Sequence, residues 1–180
     1  MSEPEAFQTL GRAVLDAATE MFRSQKRMAD RAIEQVSFEQ LRQQPDPDTN
    51  SAAVIMKHMA GNMRSRWTDV LTTDGEKPWR DRDDEFVDRY KDEKELFRDW
   101  EAGWSILFQT LDSLGPDDLT KTITIRDEPD TLVGAIDRQL SHYGYHVGQL
   151  VWLCRWQAAD SWSVLTIPRG TAANAPDQES

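Results

Sequence analysis

Residues 131–154 read TLVGAIDRQLSHYGYHVGQLVWLC, and their spacing decides the fold. Apolar side chains recur at Val133, Ile136, Leu140, Tyr143, Val147, Leu150, Val151 and Cys154. Steps of three and four mark one face of a helix rather than the alternation of a strand. The helix is expected to begin near Asp130-Thr131, just ahead of these residues. Two of the chain's three histidines, His142 and His146, lie in this stretch four residues apart. At that spacing two side chains stack on one helix face with Cβ atoms about 5–6 Å apart. Two imidazoles so placed can close on one metal ion.

Three earlier segments carry the same periodicity. The first holds Phe7, Leu10, Val14, Ala18, Met21, Ala29, Ile33 and Val36, with Pro4 near its start, and ends before the breaker cluster Pro45-Asp46-Pro47-Asp48. The second opens at Asn50-Ser51 and holds Val54, Ile55, Met59, Met63, Trp67 and Val70. The third holds Leu96, Phe97, Trp100, Trp104, Leu107, Phe108, Leu111 and Leu114, and stops at Gly115-Pro116. The expected fold is all-α: a four-helix bundle, with a long loop between helices 2 and 3, a short extended segment before helix 4 and a C-terminal tail. One domain over residues 1–170 is expected, followed by a disordered tail at 171–180.

The loop, residues 72–91, is too long for an ordinary helix–helix connection and reads either as a functional lid or as a solvated crossover. A short helical turn is expected within 84–90, with Trp79 as the anchor. Lys121-Thr122-Ile123-Thr124-Ile125-Arg126 alternates polar and apolar and reads as extended. Trp162, Leu165 and Ile167 are expected to dock the tail.

Composition narrows the function classes. With 21 Lys and Arg against 32 Asp and Glu, the net charge is −11, which repels phosphate backbones. Most basic residues are interleaved with acids, as in Arg80-Asp81-Arg82-Asp83-Asp84-Glu85, so no basic patch is legible and no nucleic-acid partner is expected. No apolar run approaches the ~20 residues of a membrane span, so no membrane partner is expected. The N-terminus is acidic and lacks a signal-peptide pattern. The one cysteine, Cys154, precludes an internal disulfide and fits a reducing compartment. A cytoplasmic protein is the expectation.

The third histidine, His58, falls within the second stripe beside Ile55 and Met59, with Asn62 one turn on. All three histidines can therefore face the interior. Burying three uncompensated imidazoles costs several kcal/mol, on the order of the desolvation of any unpaired polar group. Two readings stay open: a metal site, or a hydrogen-bonded structural cluster. Three neutral imidazoles suit Zn, Ni, Fe or Cu and leave coordination positions for water or substrate. Tyr143 stands where a zinc protease motif needs its glutamate base. Asn62, Gln139 and Gln149 are candidates to orient ligands or substrate. No carboxylate is paired with the histidines in the sequence; Asp16 and Glu20 on the first helix are the remaining candidates for a base. Gly148 reads as a close backbone approach or tight helix packing. Cys154 lies about 12 Å along the axis from His146, too far to be a ligand.

The run His142-x-x-x-His146-x-Gly148-Gln149-Leu150, with an isolated histidine on the second helix, resembles the DinB/YfiT-like superfamily. The segments Ser51–Met63, Arg66-Trp67-Thr68-Asp69, Thr73–Arg80 and Ile167-Pro168-Arg169-Gly170 resemble an uncharacterised branch of it. The resemblance implies a four-helix bundle, a divalent ion (zinc or nickel foremost) held by His58, His142 and His146, and a homodimer. Characterised relatives include transferases and isomerases that use low-molecular-weight thiols such as bacillithiol and mycothiol. It implies a metal-dependent enzyme acting on a small molecule, most concretely a thiol S-transferase. A non-catalytic metal or small-ligand binding protein and a metal-dependent hydrolase are the alternatives. An open, solvent-reaching histidine face favours an enzyme; a pocket sealed by Trp or Met favours a binding protein.

Overall fold

The structure is a computed structural model and describes residues 2–168. It is mostly helical. Four long helices, α1 (Glu3–Ile33), α3 (Ala52–Trp67), α4 (Glu93–Ser113) and α5 (Leu132–Ala158), are joined by a short helix α2 (Phe38–Leu41) and an antiparallel hairpin of β1 (Thr122–Ile125) and β2 (Glu128–Thr131). The helix starts are set by side chains that accept the first free amides. Ser51 Oγ accepts from Val54 N, Asp92 Oδ1 from Glu95 N and Thr131 Oγ1 from Gly134 N.

The first segment divides. Helix α1 ends at Ile33, and Ser37 and Gln40 form a reciprocal cap that starts α2 afresh, so Val36 lies in the connection rather than in the helix. Three of the apolar residues expected on the buried face of α1, Phe7, Leu10 and Met21, are exposed. Ala18, Ala29 and Ile33 are buried as expected, and Leu15, Phe22 and Ala32 complete that face.

Helix α3 packs against α4 and α5, and α1 packs against α5 and α4. Only Lys57 and Arg64 of α3 escape burial, which is why its sequence is apolar or small on nearly every side. Gly103 of α4 makes the α3–α4 approach possible, since a Cβ there would lie 2.9 Å from Ala60 Cα. Trp67, Trp100, Trp104, Tyr143 and Phe22 fill the centre in edge-on contacts, with Trp104 5.5 Å from Trp100 and 5.9 Å from Tyr143.

The extended segment before the last helix is half of a hairpin, so the fold is not purely helical. Its turn places Arg126 and Asp127 at φ 57° and 62°, a left-handed pair of the kind two-residue hairpins require. Neither residue is glycine, and the cost is offset from outside. Asp74 accepts from both amides, Oδ1 from Arg126 N and Oδ2 from Asp127 N, each at 2.9 Å. Gly75 N donates to Thr124 O at 2.8 Å, so the 72–91 loop is docked along the hairpin.

Within that loop the expected helical turn is a 3-10 turn at Asp84–Phe86. The expected anchor is wrong: Trp79 is 58% exposed. Lys77, Glu85 and Tyr90 are buried in its place. The loop is held by buried polar groups with partners rather than by one large apolar side chain. At the C-terminal end Trp162 and Leu165 pack on the core, whereas Ile167 is exposed. The expected disordered tail from Thr171 lies outside the described residues. No described helix is long and apolar enough to cross a membrane.

Candidate metal centre

Helix α3 contributes His58 and helix α5 contributes His142 and His146, and the three meet where these helices pack. His142 Nε2 lies 3.3 Å from His58 Nε2 and 3.1 Å from His146 Nε2. One ligand atom from each of the three lies within 4.8 Å of the others.

The outer nitrogens define the protonation. His58 Nδ1 lies 3.0 Å from Glu85 Oε2. An ionised carboxylate only accepts, so Nδ1 carries the proton and the lone pair sits on Nε2. Burial opposes the charge of Glu85, but hydrogen bonds from Arg80 and His58 outweigh it and hold the carboxyl below its ordinary value. His146 Nδ1 lies 2.8 Å from Gln149 Oε1, while Gln149 Nε2 donates to Tyr145 Oη at 2.9 Å. That orients the amide so that His146 also donates from Nδ1 and turns an Nε2 lone pair inward.

Burial, reinforced by the neighbouring His146, His58, Arg80 and Arg66, pushes the His142 pKa down to about 3. Burial is also the main cause for His146, which falls to about 4. Both are neutral at pH 7, the form that binds a metal.

This donor set fits a cation. Two inward lone pairs face one nitrogen of His142, whose single proton could satisfy only one of them. One ion accepts all three. The observed spacings of 3.1 and 3.3 Å are close to the ~3.3 Å edge of a tetrahedron with the ~2.0–2.1 Å bonds of zinc–histidine sites. Glu85 behind His58 and Gln149 behind His146 are the usual kind of support for a metal-binding imidazole, whereas His142 Nδ1 is buried without a hydrogen-bond partner among the described residues.

Glu85 can reach this position because residue 61 is glycine. A Cβ there would fall 2.3 Å from Glu85 Oε1. Arg80, whose side chain is 2% exposed, grips the same carboxylate from the other side, Nε to Oε1 and Nη2 to Oε2, both at 2.8 Å. Phe86 stacks on the His58 ring at 4.8 Å. The loop therefore builds one wall of the site.

The remaining expected residues divide. Gln149 touches His146. The side chains of Asn62 and Gln139 hydrogen-bond to no histidine among the described residues; both line a cavity of about 370 Å³ that opens on the three imidazoles. Asn62 Oδ1 accepts from Tyr143 Oη at 3.0 Å, and Tyr143 Oη accepts from Trp67 Nε1 at 3.1 Å. Asp16 and Glu20 lie far out on exposed side chains, paired with Arg12 and Arg27. Neither expected role of Gly148 is observed, because nothing lies within 4 Å of where its Cβ would stand. Cys154 is buried, and burial pushes its thiol up to about 12. Glu85, Arg80 and Phe86 were not legible as site residues; the one trace was a glycine inside α3, three residues after His58.

Residues 9–171 match the family described as a protein of unknown function, DUF1572, and the chain belongs to that family. No curated protein matches it.

Proposed function

We propose that this protein is a divalent-metal-dependent enzyme of the DinB/YfiT-like four-helix-bundle type, most concretely a thiol S-transferase acting on a small molecule. The observation that carries the reading is the convergence of His58, His142 and His146, two of them held at Nδ1 by Glu85 and Gln149. These three would hold zinc or nickel. A divalent ion there would lower the pKa of a thiol or water placed beside it and so supply a nucleophile at neutral pH.

The chain's own residues do the rest. Glu85 and Arg80 fix the His58 ring, and Gln149 fixes His146. Phe86 keeps water from one face of His58. The cavity admits a small molecule to the inner side of the cluster, and His142 and His146 are only half-buried, which favours an enzyme over a sealed binding protein. Hydrolysis is less well supported: both oxygens of Glu85, the carboxylate nearest the histidines, are already engaged by Arg80 and His58. Cys154 is too buried to serve as the thiol.

The homodimer implied by the resemblance belongs to the same reading. Trp152 and Trp156, one turn apart on α5, are exposed apolar surface of the kind a second copy covers. Light scattering on the purified chain tests it.

The central test is elemental analysis of purified protein followed by a thermal-shift screen against low-molecular-weight thiols. One zinc or nickel per chain, lost in His142→Ala, together with a thiol-dependent rise in Tm, is the expected result. Protein that takes up no divalent ion, or takes it up equally well in His142→Ala, ends the reading.

A further inference from the structure

The cavity over the histidines is lined by five arginines from four separate segments: Arg66 of α3, Arg80 and Arg82 of the 72–91 loop, Arg126 of the hairpin turn and Arg138 of α5. The interleaving of acids and bases along the chain hides this basic patch. The carboxylates in ion-pair contact with these arginines are Glu76, Glu85 and Asp130. Five guanidinium groups against three carboxylates leave the cavity positive in a chain whose net charge is −11.

The surplus is concentrated on Arg66. Its side chain is 5% exposed, yet Nε and Nη1 have no hydrogen-bond acceptor among the described residues, and Nη2 comes no nearer than 3.9 Å to Glu76. Arg66 makes no other ion pair among the described residues. An arginine buried without an acceptor is costly, and a ligand that supplies acceptors would relieve that cost. His58, Asn62 and Arg66 step along α3 at intervals of four, so they share one face over about 12 Å of axis. Tyr143 occupies Asn62 Oδ1, which leaves the Asn62 amide N–H groups without an acceptor among the described residues on that same row.

We propose that this cavity is an oxyanion subsite: it takes a small organic acid whose carboxylate or phosphoryl group is bound by Arg66 and Asn62. The planar guanidinium fork matches either group with paired hydrogen bonds. A cavity of about 370 Å³ admits a metabolite-sized acid and not a polymer. The oxyanion lies on the α3 row beyond the histidines, so the molecule spans from Arg66 toward the cluster. The inference deepens the enzyme reading by naming its substrate class, and rests on that reading only for what happens at the other end of the molecule.

The test is calorimetric titration of metal-free and zinc-treated protein with succinate, inorganic phosphate and, as the uncharged counterpart, succinamide. Succinate or phosphate should bind the metal-free protein one to one, and succinamide should bind at least tenfold more weakly. Preference between the two anions identifies a carboxylate or a phosphoryl ligand. Arg66→Met should weaken the preferred anion at least tenfold, and Arg66→Lys by less, with zinc uptake unchanged in both. Anion binding that needs zinc and ignores Arg66 would overturn the proposal, as would equal binding of succinate, phosphate and succinamide. The wild-type comparison decides the matter even if Arg66→Met does not fold. Arg66-dependent anion binding in a protein that takes up no zinc would leave this subsite standing and remove the metal reading alone.

Discussion

Glu85 Oε2 stands 3.0 Å from His58 Nδ1 although 27 residues of chain separate them, and the same carboxylate is clasped by Arg80. The 72–91 loop thereby fixes the tautomer of a histidine on α3. Glu85→Gln keeps an acceptor for His58 and removes the charge. Weakening of zinc affinity by about 10–100-fold is expected, the usual effect of losing such a support. Chelator competition measures it; unchanged affinity would separate the loop from the proposed metal centre.

Two glycines make a paired test. Gly61→Ala places a Cβ against a carboxylate that Arg80 and His58 pin, so the usual helix gain of about 1 kcal/mol is outweighed and both Tm and zinc affinity should fall. Gly148→Ala meets open space in the interior of α5 and should stabilise the fold by roughly 0.5–1 kcal/mol. Urea denaturation of both variants reads the two signs. Equal shifts in the same direction contradict the packing described.

The pH dependence of the metal-free protein follows from His142 and His146. Their folded pKa values, about 3 and about 4, lie below the ordinary value of 6.5. Below pH 6.5 the unfolded chain binds protons that the folded chain refuses. Their contribution is therefore complete above about pH 6.5 and is lost as the pH falls toward 3. Denaturation midpoints should decline through that window, and less steeply in His142→Gln. His142 or His146 imidazole resonances that titrate near 6.5 in folded metal-free protein would contradict the assignment.

Cys154 should be inert. Burial pushes its thiol up to about 12, so almost no thiolate exists at pH 8 and modification by a disulfide reagent should await unfolding. Cys154→Ser should keep metal uptake while costing roughly 1–3 kcal/mol for a buried hydroxyl. Rapid labelling of the native protein, or loss of zinc in the folded serine variant, contradicts this.

Much of the frame was legible because it is local. Periodicity located the four long helices, Ser51 starts α3 as a capping residue should, and α5 begins at the expected place beside Thr131. Local signals also erred in local ways. Phe7, Leu10 and Met21 continue the periodicity of α1 but are exposed, while Gly11, Leu15, Ala18 and Phe22 in the same stretch are buried, so the covered face is rotated from the one the spacing suggested. Trp79 drew attention by its size, yet the loop is held through Lys77, Glu85 and Tyr90, whose burial depends on partners elsewhere in the chain.

The sequence by itself determined that His142 and His146 share a helix face, because a spacing of four is a property of one helix. It also determined that His58 lies on another apolar stripe. Tertiary structure alone decided that His58 meets that pair, that Glu85 stands behind it, and that arginines scattered among acids converge on one cavity. The reason is physical: helical periodicity orders side chains only along one axis, over a few turns. Which faces meet is decided by packing between helices and by a loop whose charges become stable only when their partners are buried with them.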